Sequence, residues 1–148
     1  AEEITETCAK PASLASRVTS APCPMNNYLL DTNICIALLR GDRNIARKLI
    51  SLGEGRCCLS VITLYELMFG AYYSKHEAQE VPKVRQFVER FPIIPLEDAA
   101  ETYAMLKARL RSSGTLIDEF DLMIAATALE GDYILVTDNI KHLAALRS

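Results

Sequence analysis

Short apolar runs alternate with longer helical patterns from residue 25 onwards, and this alternation constrains the fold more than any other feature. Strands that are separated by helices run parallel, because each helical crossover returns the chain to the same end of the sheet. We therefore expect a three-layer α/β/α domain around a central, mostly parallel sheet of short strands. The runs predicted as strands are 28–30, 56–60, 92–95 and 133–136. The stretches predicted as helices are 34–40, 43–52, from 60 or 63 to about 73, 80–91, 96–113, 120–129 and 139–147.

Residues 1–24 differ in composition from the rest of the chain. They are rich in Ala, Ser, Thr and Pro, and they show no sustained apolar period. They also lack the apolar run of about 7–15 residues that a secretory signal needs. Because Met25 directly precedes the first strand-like run, we expect residues 1–24 to be a flexible leader outside the domain. Residues 25–148 are expected to form one domain, which is enough chain for a single core.

Composition excludes some classes of protein and leaves others open. The net charge of −3 does not suggest a nucleic-acid-binding domain, which usually has a basic excess. A nuclease that holds cations in an acidic cleft is still compatible with it. No apolar run approaches the roughly 20 residues that span a bilayer, so we expect a soluble protein. The five cysteines contain no CxxC pair, which argues against a zinc knuckle and favours a reducing, cytoplasmic setting.

Four acidic residues occupy the positions where an α/β sheet binds its ligands. Asp31 immediately follows the first predicted strand, and Asp138 lies just past the last one. Glu66 lies in the helix after the second strand, and Asp121 stands near the start of another helix. Ligands of such folds bind beyond the carboxyl ends of the strands, so these acids can converge on one edge of the sheet.

Clustered carboxylates repel one another, and a divalent cation is the usual way to neutralise them. Mg²⁺ and Mn²⁺ favour oxygen ligands and can promote attack on a phosphodiester. This chemistry needs no histidine base, which agrees with the sequence, since neither His76 nor His142 lies in a triad-like context.

Structural roles can account for the same acids. Asp31 before a helix can be a helix cap, and Asp121 can belong to an acidic first turn that the helix dipole favours. Asp138 with Asn139 can form a turn and cap, and Glu66 can be a solvated side chain. The residues by themselves leave these alternatives open.

Four motifs, in register, resemble the PIN domain family and specifically the VapC-type toxins of bacterial toxin–antitoxin pairs. The likeness covers essentially all of residues 25–147. The motifs are YLLDTN at 28–33, SVITLYELMFG at 60–70, FDLMIAA at 120–126 and LVTDN at 135–139.

The resemblance implies a PIN-like fold and an endoribonuclease that depends on Mg²⁺ or Mn²⁺. It also implies a small VapB-like antitoxin as partner and a homodimer. Asp31 and Asp121 match the metal-binding positions, and Glu66 matches the acid that orients metal or water. We expect Asp118 and Glu119 to be peripheral. The positions expected to support the carboxylates are Thr32, Asn33, Thr137 and Asn139.

The fourth catalytic position is ambiguous. Some PIN domains place an acid two residues after the threonine that corresponds to Thr137, and that position is Asn139 here. Asp138 follows the threonine directly and is the alternative candidate.

Two other functions deserve comparison. A haloacid-dehalogenase-like phosphatase needs a second Asp two residues after the first, where this chain has Asn33. A non-catalytic PIN-like interaction module would tolerate the loss of a site acid, whereas Asp31, Glu66 and Asp121 are all present.

Two surfaces are candidates for RNA and for protein partners. The basic cluster around the first two helices can contact phosphates, although a solvated helical face explains it as well. It comprises Arg40, Arg43, Arg47 and Lys48. The resemblance suggests antitoxin binding over the helical faces near Tyr65, Phe69 and Tyr72.

Overall fold

The computed structural model describes residues 5–7 and 27–139, and it has a five-stranded sheet at its centre. The strand order is β1-β5-β2-β3-β4. Neighbouring strands from β5 to β4 are parallel, and β1 pairs antiparallel with β5 at the edge. The strands are β1 (Thr5–Thr7), β2 (Tyr28–Leu30), β3 (Cys57–Ser60), β4 (Ile93–Ile94) and β5 (Ile134–Thr137).

Six α-helices connect and cover these strands in the described part of the chain. Four of them begin at a side chain that accepts hydrogen bonds from the first backbone N–H groups: Asp31, Asp42, Ser60 and Asp118. The helices are α1 (Thr32–Leu39), α2 (Arg43–Leu52), α3 (Val61–Tyr72), α4 (Glu77–Glu89), α5 (Ala100–Ser112) and α6 (Glu119–Gly131).

The sheet is buried on both faces, as a parallel sheet flanked by helices must be. Tyr28 and Leu30 of β2 pack into a cluster with residues of α1 to α4. Leu29, between them, packs into a second cluster with residues of α6. Alternate side chains of one strand therefore supply the cores on opposite sides of the sheet, and the predicted three-layer α/β/α fold is confirmed.

Some element boundaries differ from the prediction. α1 begins at Thr32 because Asp31 is its cap. α4 begins at Glu77, three residues early, where two acidic side chains in the first turn suit the helix dipole. The predicted helix 96–113 opens with a 3₁₀ turn at Glu97–Ala99 before α5. The predicted helix 139–147 lies outside the described residues apart from its first position.

β1 is an addition to the predicted elements, because the sequence pattern predicts no strand before residue 25. Thr5 pairs with Thr137 and Thr7 with Leu135. This strand lies inside the segment expected to be a leader. The domain boundary at residue 25 stays a prediction.

Candidate active site

The carboxyl ends of β2, β3 and β5 meet at one edge of the sheet. In the register, Leu30 lies opposite Leu59 on one side and Val136 on the other. Just past this row, the Asp31 backbone N–H donates to the Val136 carbonyl at 2.9 Å. The residue after β2 and the last residue of β5, Thr137, are therefore neighbours although they are far apart in sequence.

Both carboxylate oxygens of Asp31 accept hydrogen bonds. Oδ1 accepts a hydrogen bond from the Thr32 backbone N–H at 2.7 Å, and Oδ2 accepts one from the Thr137 hydroxyl at 2.7 Å. The side chain is buried, with 7% of its surface exposed. Two oriented donors from different parts of the chain thus hold this carboxylate in one position.

Glu66 is joined to the same corner through Thr32. The Thr32 hydroxyl donates to Glu66 Oε1 at 2.8 Å, and it lies 3.0 Å from the Thr63 hydroxyl. Because Thr32 has one proton and gives it to the carboxylate, Thr63 must be the donor to Thr32. A chain of hydrogen bonds therefore runs from Thr63 through Thr32 to Glu66, and the backbone of Thr32 extends it to Asp31.

Thr63 is the site residue that the motifs did not single out. It is fully buried and belongs to the same helix as Glu66, three residues before it. Residues three apart lie on one face of a helix, so the spacing Thr-x-x-Glu is the signal that could have identified it.

The remaining acids act on Asp31 and Glu66 through their charges. Burial is the main cause that raises the pKa of Asp31, and the charges of Asp121 and Asp138 raise it further. The hydrogen bonds from Thr137 and Thr32 oppose this rise. The four predicted acids therefore share one electrostatic environment.

The pKa of Glu66 is raised for similar reasons. Burial contributes most, the hydrogen bond from Thr32 opposes it, and the charges of Asp121, Asp31 and Asp118 add to it. Asp118, expected to be peripheral, is exposed and caps α6 by accepting from the N–H groups of Phe120 and Asp121. Its charge nevertheless reaches Glu66.

The residues after β5 act on Asp31 through a hydrogen bond or a charge, whereas the side chain of Asn33 points to solvent. Asn139 donates its backbone N–H to the Thr137 hydroxyl at 3.0 Å, so this hydroxyl links the Asn139 backbone to Asp31. Asp138 and Asn139 are both half-buried. Asn33 is exposed, and within residues 27–139 it joins none of the hydrogen bonds of this network.

The donor set suits a hard divalent cation. It consists of carboxylates, and neither Asp31 nor Glu66 forms an ion pair with a residue of the described ranges. No three His, Cys, Asp or Glu side chains among those residues lie close enough together to hold one ion. Mg²⁺ typically takes one or two carboxylates and keeps several waters, which is compatible with this spacing.

A cavity of about 260 Å³ lies beside Glu66, which forms part of its wall. The other walls come from α1, α3 and α4. In the part of the chain that the structure describes, no helix is long and apolar enough to cross a membrane.

Comparisons with known proteins agree with the motifs. The sequence profile of the PIN domain matches residues 28–146. The tRNA(fMet)-specific endonuclease VapC of Shigella flexneri is 33% identical over 119 residues, which cover 80% of this chain and 90% of the relative. The ribonuclease VapC2 of Haemophilus influenzae (strain ATCC 51907 / DSM 11121 / KW20 / Rd) is 32% identical over 119 residues, with the same coverage.

Solved structures are similar over the same region. The DNA-bound VapBC complex of Salmonella typhimurium contains a chain that is 30% identical, with a TM-score of 0.76. The match covers 81% of this chain and 92% of that chain. A chain of FitAcB from Neisseria gonorrhoeae is 27% identical with a TM-score of 0.73, covering 81% of this chain and 93% of that one.

Proposed function

This chain belongs to the PIN domain family, and we propose that it is a metal-dependent endoribonuclease that acts as the toxin of a toxin–antitoxin pair. The observation that carries the proposal is the hydrogen-bonded link between the buried Asp31 and the half-buried Glu66 through Thr32. Two further carboxylates, Asp121 and Asp138, are near enough to raise the pKa of Asp31. The names of the relatives, which include ribonucleases and tRNA endonucleases, support the reaction class.

The catalytic residues of the proposal are Asp31, Glu66 and Asp121, with Asp138 as the candidate for the fourth. Asp31 and Asp121 would hold Mg²⁺ or Mn²⁺, and Glu66 would orient a water. The bound ion supplies positive charge to the phosphodiester and lowers the pKa of a coordinated water.

The threonines have a positioning role in this proposal. Thr137 and the Thr32 backbone fix the two oxygens of Asp31, and the Thr32 hydroxyl fixes Glu66. Carboxylates held in this way need no reorganisation when RNA binds, which is how an active site concentrates its effect on the transition state. Asn33 stands where a haloacid-dehalogenase-like phosphatase needs its second Asp, which counts against that reaction.

We also propose a small VapB-like antitoxin and a second copy of the chain as partners, in the cytoplasm. Several structural relatives were solved as VapBC or toxin–antitoxin complexes. A stripe along α3 and its C-cap offers aromatic surface for such contacts, and Phe69 and the C-cap Tyr73 stack within it with ring centroids 5.5 Å apart. The exposed members of the stripe are Tyr65, Phe69, Tyr72 and Tyr73.

A cleavage assay tests the reaction. Transfer RNA incubated with the purified protein and Mn²⁺ should be cut at internal positions, and a chelator should stop the cutting. Asp121→Asn should lower the rate by more than about a thousandfold, or about 4 kcal/mol of activation free energy. Asp118→Asn is the matched control, because this exposed cap neighbours the site without being a proposed ligand, and its loss should be mild.

Two results would contradict the proposal. Cleavage that persists undiminished in excess chelator would exclude the metal-dependent reaction. Equal losses from Asp118→Asn and Asp121→Asn would show that the reaction centre lies elsewhere.

A further inference from the structure

Thr63 is a fully buried polar residue to which the proposed reaction assigns no role. Its hydroxyl lies 3.0 Å from the Thr32 hydroxyl, and in the described part of the chain it has no other hydrogen-bond partner. A buried hydroxyl without a partner destabilises the folded state, so this one contact has to satisfy it. The contact joins α3, which carries Glu66, to α1, which Asp31 caps.

Thr127 shows how a buried threonine in a helix can satisfy its hydroxyl locally. It lies in α6 and donates to the Met123 carbonyl, four residues earlier in the same helix, at 2.8 Å. Such a bond needs no other element of the fold. The hydroxyl of Thr63 instead meets a residue 31 positions away in the sequence. A hydroxyl at position 63 therefore serves α1 and not its own helix.

The direction of the contact follows from the protons that are present. An ionised Glu66 can only accept, so the single proton of the Thr32 hydroxyl goes to Glu66 Oε1, at 2.8 Å. The Thr63 hydroxyl is then the donor to the Thr32 oxygen. A hydroxyl that accepts a hydrogen bond becomes a stronger donor in the next one. Thr63 therefore strengthens the bond from Thr32 to Glu66.

Thr63 also restricts the side chain of Thr32 to one orientation. A threonine has three staggered positions about its first side-chain bond, and they point the hydroxyl in different directions. Thr63 and Glu66 are three residues apart on α3, so they lie on one face of that helix and both reach the same Thr32 oxygen. Two partners on one face favour the single orientation that faces Glu66.

We propose that Thr63 is a positioning residue of the ribonuclease site, which acts through Thr32 to hold the Glu66 carboxylate in its working orientation. This inference rests on the proposed ribonuclease activity. Because none of its surface is exposed, Thr63 does not touch RNA, and its effect should fall on the chemical step and not on binding. A carboxylate that is fixed before RNA arrives acts mainly on the transition state.

Thr63→Val tests the hydroxyl. Valine has nearly the same shape and cannot donate, so Thr32 loses the contact that orients it. The kcat for cleavage of transfer RNA in Mn²⁺ should fall about tenfold, the effect of one hydrogen bond on the barrier, while KM stays within about twofold. Thr63→Ser keeps the hydroxyl and should retain kcat within about threefold. Equal losses of kcat in the two variants would contradict the proposal.

Thr127→Val is the matched control. It removes a buried hydroxyl and one hydrogen bond from a helix, but that bond leads to a backbone carbonyl and not to an acid. Its kcat should stay within about twofold of the wild type, measured at a urea concentration where each variant is folded. If Thr127→Val lowers kcat as much as Thr63→Val does, the loss reflects a general packing defect and the positioning role is wrong.

A double-variant cycle tests whether Thr63 acts through Thr32. Thr32→Val breaks the contact with Glu66 directly and should lower kcat at least as much as Thr63→Val does. Adding Thr63→Val to Thr32→Val should then change kcat by less than about twofold, because the connection to Glu66 is already lost. Losses that multiply in the double variant would show that Thr63 acts independently of Thr32, and they would overturn the proposal.

A crystal structure of Thr63→Val separates this inference from the proposed function. The Glu66 carboxylate should lose its single position, either in two conformers or with its oxygen beyond hydrogen-bond distance of the Thr32 hydroxyl. If the wild type cuts no RNA and the variant shows this change, the ribonuclease proposal fails while the link from Thr63 to Glu66 stands. If the wild type cuts RNA and Thr63→Val keeps both its kcat and the wild-type position of Glu66, only this inference fails.

Discussion

Asp31 and Asp42 begin successive helices, and their comparison separates a simple capping residue from a cap that is also a candidate site residue. Both precede a helix, and both accept hydrogen bonds from backbone N–H groups. Asp42 accepts from Asn44 and Ile45, within its own helix, and it is half-buried. Asp31 is buried and also accepts from Thr137, which is 106 residues away.

The difference lies in the tertiary structure around each cap. Asp31 stands at the carboxyl end of a central strand, where β5 brings Thr137 and Asp138 next to it. Asp42 lies between two helices on one side of the sheet. A local capping motif therefore identifies neither residue as functional. The second donor and the neighbouring charges distinguish them.

Cleavage activity should show the largest contrast between the two caps. Asp31→Asn should lower the rate of RNA cleavage by about a thousandfold or more, because it removes a proposed metal ligand. Asp42→Asn should stay within about twofold, since asparagine caps a helix about as well as aspartate does. Single-turnover cleavage of transfer RNA in Mn²⁺ measures both. Comparable losses in the two variants would mean that Asp31, like Asp42, acts only as a helix cap.

A smaller effect should follow when the second donor to Asp31 is removed. Thr137→Val keeps the shape of the buried side chain but leaves Asp31 Oδ2 without its hydroxyl partner, and the rate should fall by about 10–100-fold. Thr102→Val is the matched control. It removes a hydroxyl that donates to Glu130 at 2.7 Å, between α5 and α6.

The free energy of unfolding shows whether a threonine variant loses activity only because it is less stable. Thr102→Val should lose about 1 kcal/mol of unfolding free energy, measured by urea titration, because it loses one hydrogen bond. Thr137→Val should lose about twice as much, because the Thr137 hydroxyl both donates to Asp31 and accepts from the Asn139 backbone N–H. Only Thr137→Val should also lose activity beyond the change in folded fraction. An equal loss of activity in Thr102→Val would mean that the Thr137 hydroxyl has no special role in orienting Asp31.

Much of the fold follows from local patterns in the sequence. β2 and α2 have the predicted bounds, because an apolar run and a capped amphipathic stretch each determine their own limits. β1 is different, since Thr-Glu-Thr has no apolar pattern and an edge strand needs only backbone hydrogen bonds. No local signal indicates such a strand.

The sequence predicts the acids of the candidate site, but it does not predict all of their hydrogen-bond partners. The position of Asp31 after a strand, together with the family motifs, indicates the acids, and the structure links Asp31 to Glu66 through Thr32. The motifs treat Asn33 like Thr32, although α1 turns Asn33 outwards to solvent. Side-chain direction within a helix and long-range pairs such as Thr137 with Asp31 depend on the tertiary structure.

The charges at the site also determine how stability depends on pH. The folded-state pKa values of Asp31 and Glu66 are raised above their ordinary values near 4, so the folded protein binds these protons more tightly than the unfolded chain does. Their stabilising contribution is full below pH ~4 and is lost as the pH rises through the raised values. Above these raised values the metal-free protein therefore bears the cost of an ionised carboxylate at the buried Asp31 and at the half-buried Glu66.

The Tm of the metal-free protein and its response to Mn²⁺ test the central claim, that Asp31 belongs to a cation site and is more than a cap. Mn²⁺ should raise the Tm of the wild type by several degrees, since binding at a hundredfold excess over Kd contributes roughly 2.7 kcal/mol. Asp31→Asn should raise the metal-free Tm at pH 7 and blunt the Mn²⁺ response, whereas Asp42→Asn should melt and respond like the wild type. A wild type whose Tm ignores Mn²⁺, together with an Asp31→Asn variant that melts like Asp42→Asn, would contradict the account and leave Asp31 as a helix cap.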